Sequence, residues 1–304
     1  MLAVLTGGCA SIPDDVGSTP VAVRSVELAS TPFFPQERFQ CGPAALATVL
    51  EASGIDVSLD ALVERVYLPG RKGSLTIELM TAMREHGRLA YPLAGTIDEV
   101  LAELDAGRPV LVFQNLGVAW LPKWHYAVVV GYDAEADRIV LRSGTERRRL
   151  TPRRVFLRTW QRGDFWSAVA LEPGQLPARP DPARYFRAAA GLETAGRRKE
   201  ARAAWRAALG QWPGSAVPPF ALGNIALAEG RHDAAIGWYR QALRLDPGYW
   251  TASNNLAHAL AAAGRAEAAQ RTLREALELV ADDEAAREVL LSSQQELGAD
   301  RPPH

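Results

Sequence analysis

The chain has 304 residues, a length that suits two domains, and its formal net charge of -1 removes any overall pull toward nucleic acid; basic runs such as Arg147-Arg148-Arg149 are local. Its two cysteines lie far apart, which excludes a disulfide framework or a cysteine metal cluster. No CxxC, HExxH or Walker A pattern is present, and no cofactor is implied.

In chain order, residues 1–10 are a short apolar run with small residues and Cys9 near its end. The run is too short to span a bilayer and lacks a positive n-region. It resembles the tail of a bacterial lipoprotein signal, in which the cysteine becomes the lipidated first residue, although Thr6 stands where that pattern usually has Leu. A start placed too far downstream would account for the missing part, and an incidental apolar N-terminus is the other reading. The resemblance implies lipidation at Cys9, a lipid anchor to the membrane and a place in the bacterial cell envelope facing the periplasm. Residues 1–30 are then a partial signal and tether.

Residues 25–28 begin a strand, and 31–35 are an irregular aromatic loop. Residues 42–52 have apolar positions spaced for burial as a helix, with Pro43 in its first turn, where no backbone donor is needed, and Gly54 after its end. A second helix covers 58–66 with Ser58 as N-cap, and a Gly/Pro loop leads to a third over 75–86, stopped by Gly87. The period then changes. Strands are expected at 88–93, 109–115, 124–132 and 138–142, with 147–150 extending the sheet and 165–171 closing the domain. Helices fall at 96–106, opening on the capping-box spacing Thr96 to Glu99, and at 152–159. Helices first and an antiparallel sheet second make an α+β domain over 31–172.

Four prolines within 173–182 mark a boundary, with 173–181 as linker. Beyond it the chain repeats every 34 residues from Pro182, Ala216 and Trp250. Ala201, Ala235 and Ala269 share one position, and Trp205, Tyr239 and Leu273 another. Ala208, Ala242 and Ala276 share a third. Small residues let paired helices approach, and the large one fills the gap between them. The pattern resembles the tetratricopeptide repeat, most fully in the middle copy with Leu222-Gly223. Three repeats plus a capping helix account for 182–297, an all-α solenoid, and 298–304 for a disordered tail.

Cys41 sits where a loop becomes a helix, facing unpaired N–H groups that lower a thiol pKa and favour the nucleophilic thiolate. His125 opens a core strand. A helix-borne thiol followed by a strand-borne imidazole is the order of a papain-like cysteine hydrolase. Gln36, five residues before the thiol, is placed to donate to the oxyanion; the neighbouring Gln40 is the second candidate. Each residue alone reads as a small buried hydrophobe or a core histidine. The combination favours a catalytic pair. Trp120, Trp124 and Tyr126 read as core or cleft wall, and His86, His232 and His258 show no ligand spacing.

Gln36, Cys41-Gly42-Pro43-Ala44 and the later His125-Tyr126 to Gly131-Tyr132-Asp133 together resemble the C39 family of bacterial cysteine peptidases and its relatives, over about residues 30–172. The resemblance implies a papain-like fold, with Cys41 as nucleophile, His125 as base and Gln36 as oxyanion donor. The family's third member is usually an Asp on the strand after the histidine; here Ser143 stands in that place as the orienting group. A hydroxyl can hold the imidazole tautomer but cannot stabilise imidazolium as a carboxylate does. Asp133 could substitute only if the hairpin curled back. The whole arrangement is similar to a group of lipoprotein cysteine peptidases of proteobacteria.

Two functions follow from these residues. One is a cysteine endopeptidase of the envelope, hydrolysing peptide bonds while the repeats recruit a peptide or protein substrate or partner. The other is an inactive peptide-binding adaptor, for which Ser143 argues. The cysteine and histidine do not select the acceptor, so transferase or amidase chemistry uses the same core.

Overall fold

The computed structural model describes residues 24–36 and 40–299. Cys9, residues 1–23 of the signal and tether, residues 37–39 of the cysteine loop and residues 300–304 of the tail lie outside the described residues.

Among the described residues seven antiparallel strands form one sheet: β1 (Val26–Glu27), β2 (Leu89–Pro92), β3 (Val110–Asn115), β4 (Trp124–Asp133), β5 (Arg138–Ser143), β6 (Glu146–Pro152) and β7 (Ser167–Leu171). Their order is β2-β7-β3-β4-β5-β6, with β1 paired to β4. β7, the last segment of the domain, is inserted between β2 and β3 and fully buried, which suits its unbroken small and apolar run Ser-Ala-Val-Ala-Leu.

The two faces of the sheet serve different partners because successive side chains alternate. On β4, Tyr126, Val128 and Val130 face a core shared with Leu46 and Leu50 of α1 (Cys41–Ala52), Leu62 of α2 (Leu59–Val66) and Leu79 and Met83 of α3 (Thr76–Glu85). Ala127 and Val129 face the other core, with Leu104 of α4 (Ile97–Asp105) and Phe156 and Trp160 of α5 (Arg153–Gln161). Ser58 caps α2 by accepting from the Ala61 N–H. Thr96 likewise caps α4, but Glu99 does not complete the capping box. Its carboxylate accepts from the Ala94 N–H at 2.5 Å and from Arg184.

Arg184 belongs to the repeat region. There α6 (Pro182–Thr194), α7 (Arg198–Gln211), α8 (Val217–Ala228), α9 (His232–Leu245), α10 (Trp250–Ala262) and α11 (Ala266–Leu279) pair in sequence, and α12 (Glu284–Ala299) packs on the last pair. The repeat signature is buried as its residue sizes require: Ala201, Ala235 and Ala269 lie against Trp205, Tyr239 and Leu273 in the interiors of the three pairs. Gly223 needs its missing side chain, since a Cβ there would come within 2.5 Å of the Tyr239 ring.

The first pair is an extension of the sheet's core. Tyr185, Ala188, Leu192 and Trp205 join Tyr91 and Leu104 in one continuous apolar cluster, and the Tyr91 and Tyr185 rings lie 6.5 Å apart. Arg184 closes a two-pronged ion pair with Glu99 (2.8 and 2.9 Å) and lies over the Tyr91 ring. The proline-rich segment between the two regions is tied down: the Ala178 N–H donates to Glu103, and the Tyr185 hydroxyl to the Gln175 carbonyl. Glu99→Ala removes the two-pronged partner of the half-buried Arg184 guanidinium, leaving it Asp181 at 3.5 Å, and is expected to destabilise the chain by about 1–2 kcal/mol in urea denaturation. An unchanged midpoint would contradict the assigned role of this pair.

Candidate active site

Cys41 is the first residue of α1, and its neighbour Gly42 is held tightly: a Cβ there would lie 2.5 Å from Ser74 Oγ and 2.6 Å from Ser74 Cβ. The glycine lets the loop before α3 close over the start of α1. β4 brings His125 to the same place, and Cys41 and His125 line one cleft of about 990 Å³ together with Gln36, Ser74 and Trp124.

His125 Nε2 lies 2.8 Å from Ser143 Oγ. Ser143 ends β5 and is buried, so its hydroxyl has a fixed place from which to orient the ring. With Nε2 held there, Nδ1 is the nitrogen left to exchange a proton with the thiol. Gln36 is pinned beside this pair by its own N–H, which donates to the Gly144 carbonyl at 3.1 Å. Upstream, the buried Arg142 guanidinium donates to the carbonyls of Ala29 and Thr31, and to that of Arg147, and so clamps the entry loop onto the sheet. Gln40 is the N-cap of α1 without a side-chain bond to it, and is not among the residues lining the cleft. Asp133 is eight residues along β4 from His125, about 26 Å of extended strand, and accepts from the Ala136 N–H in the hairpin turn. It cannot orient the imidazole.

The electrostatics differ from the expectation of an activated thiolate. Burial raises the Cys41 thiol above its ordinary pKa, outweighing the lowering by N–H groups of Tyr126, Gly42 and Cys41 itself. Burial also pulls His125 down to about 4, helped by the positive charges of Arg149 and Lys123. The free protein therefore holds a neutral thiol beside a neutral imidazole. Among the described residues no hydrogen bond joins Cys41 to His125 and no carboxylate bonds the ring.

Trp120, expected in the core or cleft wall, is 83% exposed at the tip of the loop between β3 and β4, whereas Trp124 stacks on Phe113 at 5.1 Å and lines the cleft. Sequence reasoning missed Ser74 and Arg142. Arg142 carried a signal, a charge directly after the apolar run Ile139-Val140-Leu141; Ser74 carried none. Among the described residues no group of three or more His, Cys, Asp or Glu is placed to hold a metal ion.

Residues 29–165 match the Peptidase_C39 like family, and residues 226–291 match a tetratricopeptide-repeat model. Among solved structures, a Bacillus anthracis protein assigned as a C39-like peptidase is 19% identical. That match covers 48% of this chain and 96% of that one, with a TM-score of 0.40. The Yersinia enterocolitica type III secretion chaperone SycD, in complex with a peptide of the translocator YopD, is 20% identical, covering 40% of this chain and 94% of that one at a TM-score of 0.37. The second tetratricopeptide domain of human RPAP3, in complex with an HSP70 peptide, is 16% identical over 39% of this chain and 98% of that one, at a TM-score of 0.35. No curated protein matches this chain. A C39-like peptidase domain is thus joined to a C-terminal tetratricopeptide-repeat region.

Two predictions follow from this geometry. In a nuclear magnetic resonance titration, His125 is expected to stay neutral down to a midpoint near 4. Its folded value lies below the ordinary value of about 6.5, so the site costs stability as pH falls through that interval and nothing above it. Ser143→Asp should raise the midpoint, because a carboxylate beside the ring favours imidazolium; an unmoved midpoint would contradict the Ser143 contact. Second, Gly42→Ala should lower the melting temperature and Ser74→Gly in the same chain should restore much of it; absence of any rescue would contradict the tight Gly42–Ser74 packing.

Proposed function

We propose that the chain is a thiol-dependent peptidase whose repeats recruit the peptide or protein that it cuts. The observation that supports this most is the convergence of Cys41 and His125 on one cleft, with His125 Nε2 held by Ser143 at 2.8 Å. Because thiol and imidazole are both neutral at rest, the proton moves as the bond forms. Nδ1 of His125 takes the thiol proton while Sγ attacks the peptide carbonyl, and the backbone N–H of Cys41 and the Gln36 amide receive the developing oxyanion. The imidazolium then gives its proton to the leaving amine. Water, deprotonated by the same ring, hydrolyses the thioester and regenerates Cys41. Lipidation at Cys9 would keep this chemistry at the bacterial membrane, in the periplasm.

A second reading, a peptide-binding module with little or no turnover, draws on Ser143. With a hydroxyl in place of a carboxylate, the imidazolium formed during attack gets dipolar help only. Both readings use the same cleft, and turnover separates them. The test is cleavage of an unbiased peptide mixture by the full chain, followed by mass spectrometry. The peptidase reading predicts cleavage that Cys41→Ala and His125→Ala abolish and that Ser143→Asp raises about tenfold or more, as part of the contribution a triad acid makes elsewhere. Peptide binding by the wild-type chain with no cleavage, and none on restoring the acid, would favour the binding module.

A further inference from the structure

Among the described residues lining the cleft, the charged side chains all have one sign. Arg71, from the turn between α2 and α3, and Lys123, from the loop between β3 and β4, both line it, and Lys72 lines it as well. No Asp or Glu is among its described lining residues. Arg71 and Lys123 have no ion-pair partner among the described residues, whereas Arg65 bonds Glu78 and Glu85, Arg148 bonds Glu27, and Arg153 bonds Asp137. The field of the rim reaches the reacting groups, since Lys123 and Arg149 both act against protonation of His125. In a chain whose formal charge is -1, this concentration of positive charge is local to the cleft.

The same edge is apolar and held in shape. Trp124 is half exposed and stacked on Phe113, and the neighbouring loop holds Val118, Trp120 and Leu121 out into solvent at 44%, 83% and 64% exposure. This loop is built rather than slack. Asn115 Oδ1 accepts from the N–H groups of both Gly117 and Lys123, Val118 and Leu121 pair across the tip, and Arg162 donates to the Gly117 carbonyl. An exposed apolar tip that is already ordered binds without an added ordering cost.

We propose that the cleft selects acidic peptides: a substrate carboxylate engages Arg71 and Lys123, and an adjacent aromatic or branched apolar side chain packs on Trp124 and the Val118–Leu121 tip. This rests on the reading of the cleft as a peptide site and specifies its substrate class. A lipid surface would also accept an apolar tip next to a lysine. The peptide is favoured because both cations line the cleft that holds Cys41, not the tip alone.

The test uses full-length chain and quenched fluorescent peptides that differ only in a central Glu, Gln or Lys beside a Phe. Cleavage is followed by kcat/KM, and binding to the Cys41→Ala chain by fluorescence anisotropy. The Glu peptide is expected to exceed the Lys peptide by about tenfold or more at low salt, with the gap narrowing as salt rises. Arg71→Glu with Lys123→Glu should invert the order, and the milder pair Arg71→Gln with Lys123→Gln should level it. Selective binding of the Glu peptide without cleavage by the wild-type chain would uphold this inference while removing the peptidase reading. Equal handling of the three peptides, or a preference that survives charge reversal, would overturn it. So would partition onto phosphatidylglycerol vesicles, seen by Trp fluorescence, with binding of none of the peptides.

Discussion

Desolvation at the meeting of α1 and β4 is the constraint on which the rest of this structure turns. Cys41 begins the helix and His125 sits near the start of the strand, and both are largely removed from water. Burial disfavours charge on either group, and the available helpers are weak: backbone N–H groups for the thiol and a serine hydroxyl for the imidazole. A carboxylate in the place of Ser143 would tilt the pair toward thiolate and imidazolium. Without one, the resting site is neutral, and the nucleophile must be made in the act of attack. The positive rim acts in the same direction, since nearby cations penalise the imidazolium and favour a bound anion.

Much of this was legible in the residues. The Val-rich run at 124–132 gave the core strand, and the 34-residue spacing of Ala, Trp, Tyr and Leu gave the repeat pairs, because helix packing tolerates few substitutes at those positions. The family resemblance pointed to Ser143 beside the histidine, and its hydroxyl lies 2.8 Å from His125 Nε2. The balance between burial and backbone dipoles at Cys41 was not, because a helix N-terminus is visible in sequence and the dryness of its surroundings is not. Nor was the contact between Ser74 and Gly42, which joins residues with no shared periodicity. The insertion of β7 between β2 and β3 is likewise a long-range pairing that local pattern does not encode.

The proline-rich boundary at 173–182 read as a linker, yet the structure carries the core straight through it. Tyr91 on the sheet meets Tyr185 on the first repeat helix, and Arg184 reaches back to Glu99. Those residues are polar or aromatic on both sides, a pattern that sequence alone cannot distinguish from ordinary surface. The consequence is functional: the first repeat is built onto the face of the sheet opposite α1, so a partner held by the repeats has a set position relative to the sheet that carries His125.

The central claim, that burial keeps thiol and imidazole neutral at rest, is tested most directly by the rate at which iodoacetamide alkylates Cys41 as a function of pH in the free, full-length chain. The account predicts slow alkylation through neutral pH and a single rise centred above the ordinary thiol value of about 8.5. A fast plateau between about pH 5 and 8, the signature of a thiolate–imidazolium pair, would contradict it.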